Sequence, residues 1–335
     1  MPAWTTVSIL IFSISWSVKL AVAAVLAMTF VSPSAGLLAV ATYTPFGTRG
    51  EFVAGLGWFQ AADAAVLAFL AALVLRRVAD RPGPRAPART GWLLAIAVVV
   101  SVYLGVRQSM RPPVIEPVDV AGLSETLRVL RAGLAAAAGM LEGIALVAAT
   151  IVAFRWRPAL AVQLPVALAA PATAIAFMRV LPRADVSSSS PADPYLTMVL
   201  CLTIGMAVRG RRRSRFAWIA VAALLSVALL VNAMRFTAVR SGATITSEVG
   251  IASALMLLWL AAVLAPAVRA LVRTPRDARL LGATTGAVLF FALAIVGELL
   301  PAATVVHAFW IQLGLASALG QSNLLNVTGT SARAG

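Results

Sequence analysis

Charge is scarce in this chain of 335 residues, and acid is scarcer than base: Asp and Glu number 12 against 27 Lys and Arg. A soluble globular protein carries roughly 25% charged residues and about 45–50% apolar ones. Here 12% are charged and 61% hydrophobic. One soluble core cannot hide that surplus, whereas lipid accepts it. Cysteine is nearly absent: Cys201 stands alone inside an apolar run, so no internal disulfide can form. Histidine is reduced to His307. Bis-histidine haem, Cys/His zinc and iron–sulfur centres all need more such ligands than this chain holds. No cofactor and no metal site is therefore expected. Lysine is reduced to Lys19, with arginine supplying the other basic residues, a bias that points to a GC-rich bacterial genome.

Several motifs are missing as well. There is no glycine-rich phosphate loop with lysine and no Gly-x-Ser-x-Gly elbow, which disfavours ATP hydrolysis and serine hydrolysis. No Asp-rich diphosphate–metal motif occurs. Light-driven pumping through retinal is disfavoured because Lys19 lies in the first apolar run and not in a late one. Met1 to Leu10 contains no basic residue, so an uncleaved first helix is expected in place of a removed signal.

What the chain does contain is long apolar runs. A spanning helix needs about 20 mostly apolar residues. Ten runs qualify, at roughly 7–30, 52–75, 92–109, 132–154, 159–181, 194–208, 216–236, 249–268, 280–300 and 302–320. The connectors between them alternate in charge. Arg76 and Arg77 with Arg81, Arg85 and Arg89, then Arg155 with Arg157, then Arg209–Arg215, then Arg269–Arg279, form one basic set that holds only two acids, Asp80 and Asp277. The intervening connectors mix both signs. The positive-inside rule turns that alternation into an orientation. The expected fold is all-α: a polytopic membrane bundle of about ten helices in five hairpins, with both termini cytoplasmic, in a bacterial inner membrane. Residues 1–335 make a single transmembrane domain. Within it, 76–91 is a basic cytoplasmic connector and 321–335 a cytoplasmic tail. Residues 110–131 form an outer loop with an amphipathic lead-in to the next helix, where Ser124 is placed to cap and Leu127, Leu130 and Leu134 recur at helical spacing. Split into short clusters, the basic residues do not make a nucleic-acid surface.

Charges inside spans cost about 2.5–3.5 kcal/mol each at mid-helix, so they are the leads to function. Lys19 and Asp63 fall mid-way along the first and second runs and pair if those runs form an antiparallel hairpin. Glu142 sits in Gly139-Met140-Leu141-Glu142-Gly143, whose glycine spacing lets a neighbouring helix come close and desolvate the carboxylate. Gly282 and Gly286 repeat that spacing. Glu298 and His307 flank the turn between the last two runs, where a Glu/His pair would take up protons from outside. Met110-Arg111, Met178-Arg179 and Met234-Arg235 each close an apolar run at the outer side. If Arg111, Arg179 and Arg235 converge, their guanidinium forks suit a phosphate or carboxylate.

These leads set three expectations. The first is a transporter or channel-like component that moves a small solute or ion, with proton coupling, past Asp63 and Glu142. The second is an enzyme or flippase for a lipid-linked anion, built on the outer arginines. The third is a non-catalytic subunit of a larger membrane complex. Catalysis is the less expected outcome. Membrane lipids, and in the third reading other membrane subunits, are the partners.

Overall fold

Ser32-Pro33, just past the first apolar run, ends its helix. Proline cannot donate a mid-helix hydrogen bond and pushes the residue before it out of α geometry. Ser32 accordingly has extended backbone angles, φ −152° and ψ 113°. Helix α1 (Trp16–Val31) stops there, and α2 (Pro33–Tyr43) runs back, ending in a 3-10 turn at Thr44–Phe46. Eight further helices follow: α3 (Ala61–Ala79), α4 (Leu123–Trp156), α5 (Leu160–Val180), α6 (Ala192–Arg209), α7 (Arg212–Thr237), α8 (Ile251–Arg273), α9 (Ala278–Val296) and α10 (Ala303–Ser331). The computed structural model describes residues 16–46, 61–79, 123–180, 192–209, 212–237, 251–274, 277–296 and 303–331. Among the described residues there are ten α-helices and no strand, so the protein is all-α. The apolar run at 92–109 and the outer loop up to Gly122 lie outside the described residues. The amphipathic lead-in is continuous with α4, a helix of 34 residues.

The helix ends sort by charge. Arg76 Nη1 donates to Phe30 O and Val31 O, each at 2.8 Å, so the last turns of α1 and α3 lie together. Arg157 Nη1, just past α4, reaches Ser34 Oγ at the start of α2, 3.3 Å away. Arg155 Nη2 donates to Gln321 Oε1 on α10 at 2.9 Å. Asp277 binds Arg209 at 3.1 Å and accepts from Asn323 Nδ2 at 2.8 Å, tying the end of α6 and the start of α9 to α10. One end of the bundle thus gathers Arg76, Arg155, Arg157 and Arg209 from the basic connectors. At the opposite end, buried Arg179 is paired with Asp193 across the turn from α5 to α6.

This arrangement corrects the first hairpin. Antiparallel spans would have put Val31 and Arg76 at opposite ends. The proline break reverses the chain early, so α1 and α3 run parallel, both toward the basic end, with α2 between them in sequence. Trp16 therefore lies at the far end from the last turns of α10; the termini themselves, 1–15 and 332–335, lie outside the described residues. Helix α3 has its expected direction, and from α4 onward the described helices alternate as expected.

Helix α10 is the axis, not the outer half of a terminal hairpin. Every residue from His307 to Gly320 is buried, and the helix touches α2, α3, α4, α5, α6, α8 and α9. An all-round apolar helix has no solvent face to offer and goes to the centre. Small residues let neighbours close on it. Gly314 faces Thr150 of α4, Gly320 faces Ala267 of α8, and Gly286 of α9 faces Gln312. Gly205 and Gly282 bring the α6 and α9 backbones together. The periphery is apolar too: Leu20, Val31, Phe177, Val208, Phe216 and Val272 are exposed. Among the described residues, two segments, Leu160–Val180 and Ser214–Val231, are long and apolar enough to cross a membrane.

Candidate functional site

Three helices remote in sequence each bring one polar side chain to the same buried point. Asp63 sits in the first turn of α3, where the helix dipole favours a carboxylate. Glu142 is mid-way along α4, and His307 is near the start of α10. His307 Nε2 lies 3.4 Å from Asp63 Oδ1 and 3.5 Å from Glu142 Oε2. The ligand atoms of all three fall within 4.8 Å of one another. Their side chains are 4%, 9% and 9% exposed for His307, Asp63 and Glu142.

Depth explains why they meet. Each lies roughly 13–14 residues, about 20 Å of helix, from the Arg76, Arg155 or Gln321 that anchors its own helix at the basic end. Equal offsets on helices pinned at one level give equal heights. Lys19 on α1 stands at the same height, because α1 is pinned to Arg76 through Phe30 and Val31. It is half-buried there.

Trp310, one turn along from His307, seals the site on one side. It lies against Gly143, the residue after Glu142, and a Cβ there would run into the indole. Trp310 also meets Trp259 edge-on, with centroids 5.0 Å apart and planes at 74°. Glu142 Oε1, His307 Nδ1 and the indole nitrogens of Trp259 and Trp310 are buried with no hydrogen-bond partner among the described residues. Each such group costs about 1–3 kcal/mol, so the site holds polar capacity that the described residues do not satisfy. Separations of 3.4 and 3.5 Å exceed the roughly 2.7–2.9 Å of a charge-assisted hydrogen bond. One ring N–H also cannot serve two carboxylates at once. Chemically, the cluster can exchange protons or hold a cation.

The other sequence candidates fare differently. His307, expected beside Glu298 at an outer turn, lies inside the bundle against Asp63 and Glu142. Glu298 is outside the described residues, as is Arg111. Arg235 lies in the last turns of α7, and its side chain is outside what is described. Arg179 is buried and paired with Asp193, joining α5 to α6. Of the paired glycines, Gly143 packs on α10 as the spacing implies, while a Cβ on Gly139 would meet open space. The exclusion of metal sites counted histidine and cysteine and passed over carboxylates, two of which the fold sets beside the single histidine. Gln312 was missed. Its Nε2 donates to Ala283 O at 3.1 Å, and its Oε1 is buried without a partner. A lone glutamine in an apolar run carries the same signal as a lone charge and marks such a position.

A cavity of about 340 Å³ lies not at this cluster but at the basic end, lined by Ser32, Pro33, Ser34, Arg76, Ala153, Trp156 and Arg157. No protein family, curated protein or solved structure matches the chain.

Proposed function

We propose that the protein is a multi-pass membrane transporter or channel-like component whose path for a small ion or proton-coupled solute passes Asp63, Glu142 and His307. The observation that carries this is the convergence of two carboxylates and the chain's single histidine in the interior of an apolar bundle. Buried ionisable groups are expensive, and in lipid they mark proton or ion pathways. The apolar periphery and the two segments of spanning length support the membrane setting. With the basic end cytoplasmic, as in a bacterial inner membrane, the three groups lie about 20 Å from that side, roughly two-thirds of the way across a hydrocarbon core of about 30 Å. Trp16 is then on the outer side. The Arg76–Arg157 cavity meets the cytoplasmic head-group layer, where membrane lipids are the partners.

The lipid-linked-anion reading needs Arg111, Arg179 and Arg235 free to converge, and Arg179 is committed to Asp193. Reconstituting the full chain into vesicles tests the proposal. Imposing a pH gradient drives flux, and Glu142→Gln abolishes its pH dependence. Equal flux in empty vesicles, or unchanged flux in that variant, contradicts the proposal.

A further inference from the structure

The two carboxylates and the imidazole have the composition of a metal-ligand set, and their spacing supports one further step. Around a tetrahedral first-row cation, ligand atoms at about 2.0–2.2 Å stand about 3.3–3.5 Å apart. The His307–Asp63 and His307–Glu142 edges are 3.4 and 3.5 Å. The third edge is no longer than 4.8 Å. Those edges are too long for good hydrogen bonds and of the right length for a shared ion.

Charge and chemistry agree. Two carboxylates and a neutral imidazole make a donor set whose charge a divalent cation matches. The imidazole disfavours magnesium and calcium, which take oxygen ligands, and favours zinc-like ions. The acidic pair does not stand alone: Glu142 Oε1 is more than nine-tenths buried, belongs to the cluster and has no partner among the described residues.

We infer that Asp63, Glu142 and His307 bind one divalent first-row transition-metal ion of the zinc class, through Nε2 of the histidine and one oxygen from each carboxylate. Three protein ligands leave a fourth position open, as in sites that exchange or activate a bound group and unlike closed structural sites. His307 Nδ1 remains for an outer partner that fixes the ring. The inference rests on reading these residues as the working site, and it names the ion class that site takes.

The test uses the full chain in lipid nanodiscs, stripped of metal and titrated with Zn²⁺ against a chelator of known affinity. One equivalent is expected to bind, and Glu142→Gln and His307→Gln are expected to weaken binding at least tenfold. Zinc-edge X-ray absorption on the unmodified protein is expected to show a nitrogen/oxygen shell near 2.0 Å with imidazole scattering. That measurement keeps the test decisive even if a variant misfolds. The absence of stoichiometric zinc, zinc without an imidazole, or zinc unaffected in well-folded variants overturns the inference. If zinc does not bind but Glu142→Gln still removes pH-dependent flux, the metal is wrong and the transport reading stands. If zinc binds and no flux of any kind is found, the metal stands and the transport reading falls.

Discussion

Gly143 sets how closely α4 and α10 approach, because the Trp310 ring fills the space a side chain would need. Gly143→Ala is expected to destabilise the bundle by about 1–3 kcal/mol through overpacking. Gly139→Ala, into open space, is expected to be neutral or to stabilise slightly through helix propensity, by up to about 1 kcal/mol. Thermal unfolding in detergent separates the two, and equal effects would refute the contact. Asp277 makes a second prediction at this scale. Burial alone would raise the pKa of its carboxyl. The Asn323 hydrogen bond, Arg209, the Leu280 N–H and Arg279 together outweigh that and hold it below the ordinary carboxylate range. A carboxylate whose pKa is lowered on folding contributes stability that is full above its unfolded pKa of about 3.9 and is lost as pH falls through the folded value. Asp277→Ala is therefore expected to cost about 1–3 kcal/mol at neutral pH, and the gap from the unmodified protein should narrow below about pH 4. A gap constant down to acid pH would count against the ion pair.

At the scale of elements, helix positions were legible because an apolar window of the right length states its own limits. The runs expected at 159–181 and 194–208 became Leu160–Val180 and Ala192–Arg209. Direction was legible from the arginine connectors for each of the later expected runs that lies among the described residues. The first failed because nothing in a run that ends before Ser32-Pro33 says that the chain folds straight back there as α2, and the weight of that proline depends on whether the chain has a place to fold back. Arg76 supplies part of the answer by capping the carbonyls of α1. Arg76→Met is expected to loosen α1 from α3, lowering stability by about 1–3 kcal/mol and exposing Val31 to faster proteolysis. A variant as stable and as resistant as the parent would mean the cap is incidental. Val31 is 82% exposed, so Val31→Cys in a Cys201→Ala background offers a thiol at that end. An impermeant reagent should reach it only from the cytoplasmic side. Labelling from outside intact cells would restore the antiparallel hairpin and remove the shared end.

On the scale of the whole molecule, the candidate site was half legible. Asp63, Glu142 and His307 each stood out alone, as charge or titratable chemistry inside or beside apolar runs. Their meeting could not be read from the sequence. It depends on α10 being the axis, and on three helices pinned at the basic end by Arg76, Arg155 and Gln321 at matching offsets. The sequence offered simpler pairs, Glu298 for His307 and Lys19 for Asp63; Glu298 lies outside the described residues, and the packing adds Asp63 and Glu142 as neighbours of His307. If the three act as one unit, their substitutions should not add. Asp63→Asn, Glu142→Gln and His307→Gln should each remove most of the pH dependence of flux, and the double variants should do no worse. The most direct measurement is pH-gradient-driven flux across vesicles holding the full chain, compared between the parent and Glu142→Gln. Flux that depends on pH in the parent and loses that dependence in the variant is the expected result. A parent without flux, or a variant that keeps the full pH response, would contradict the account.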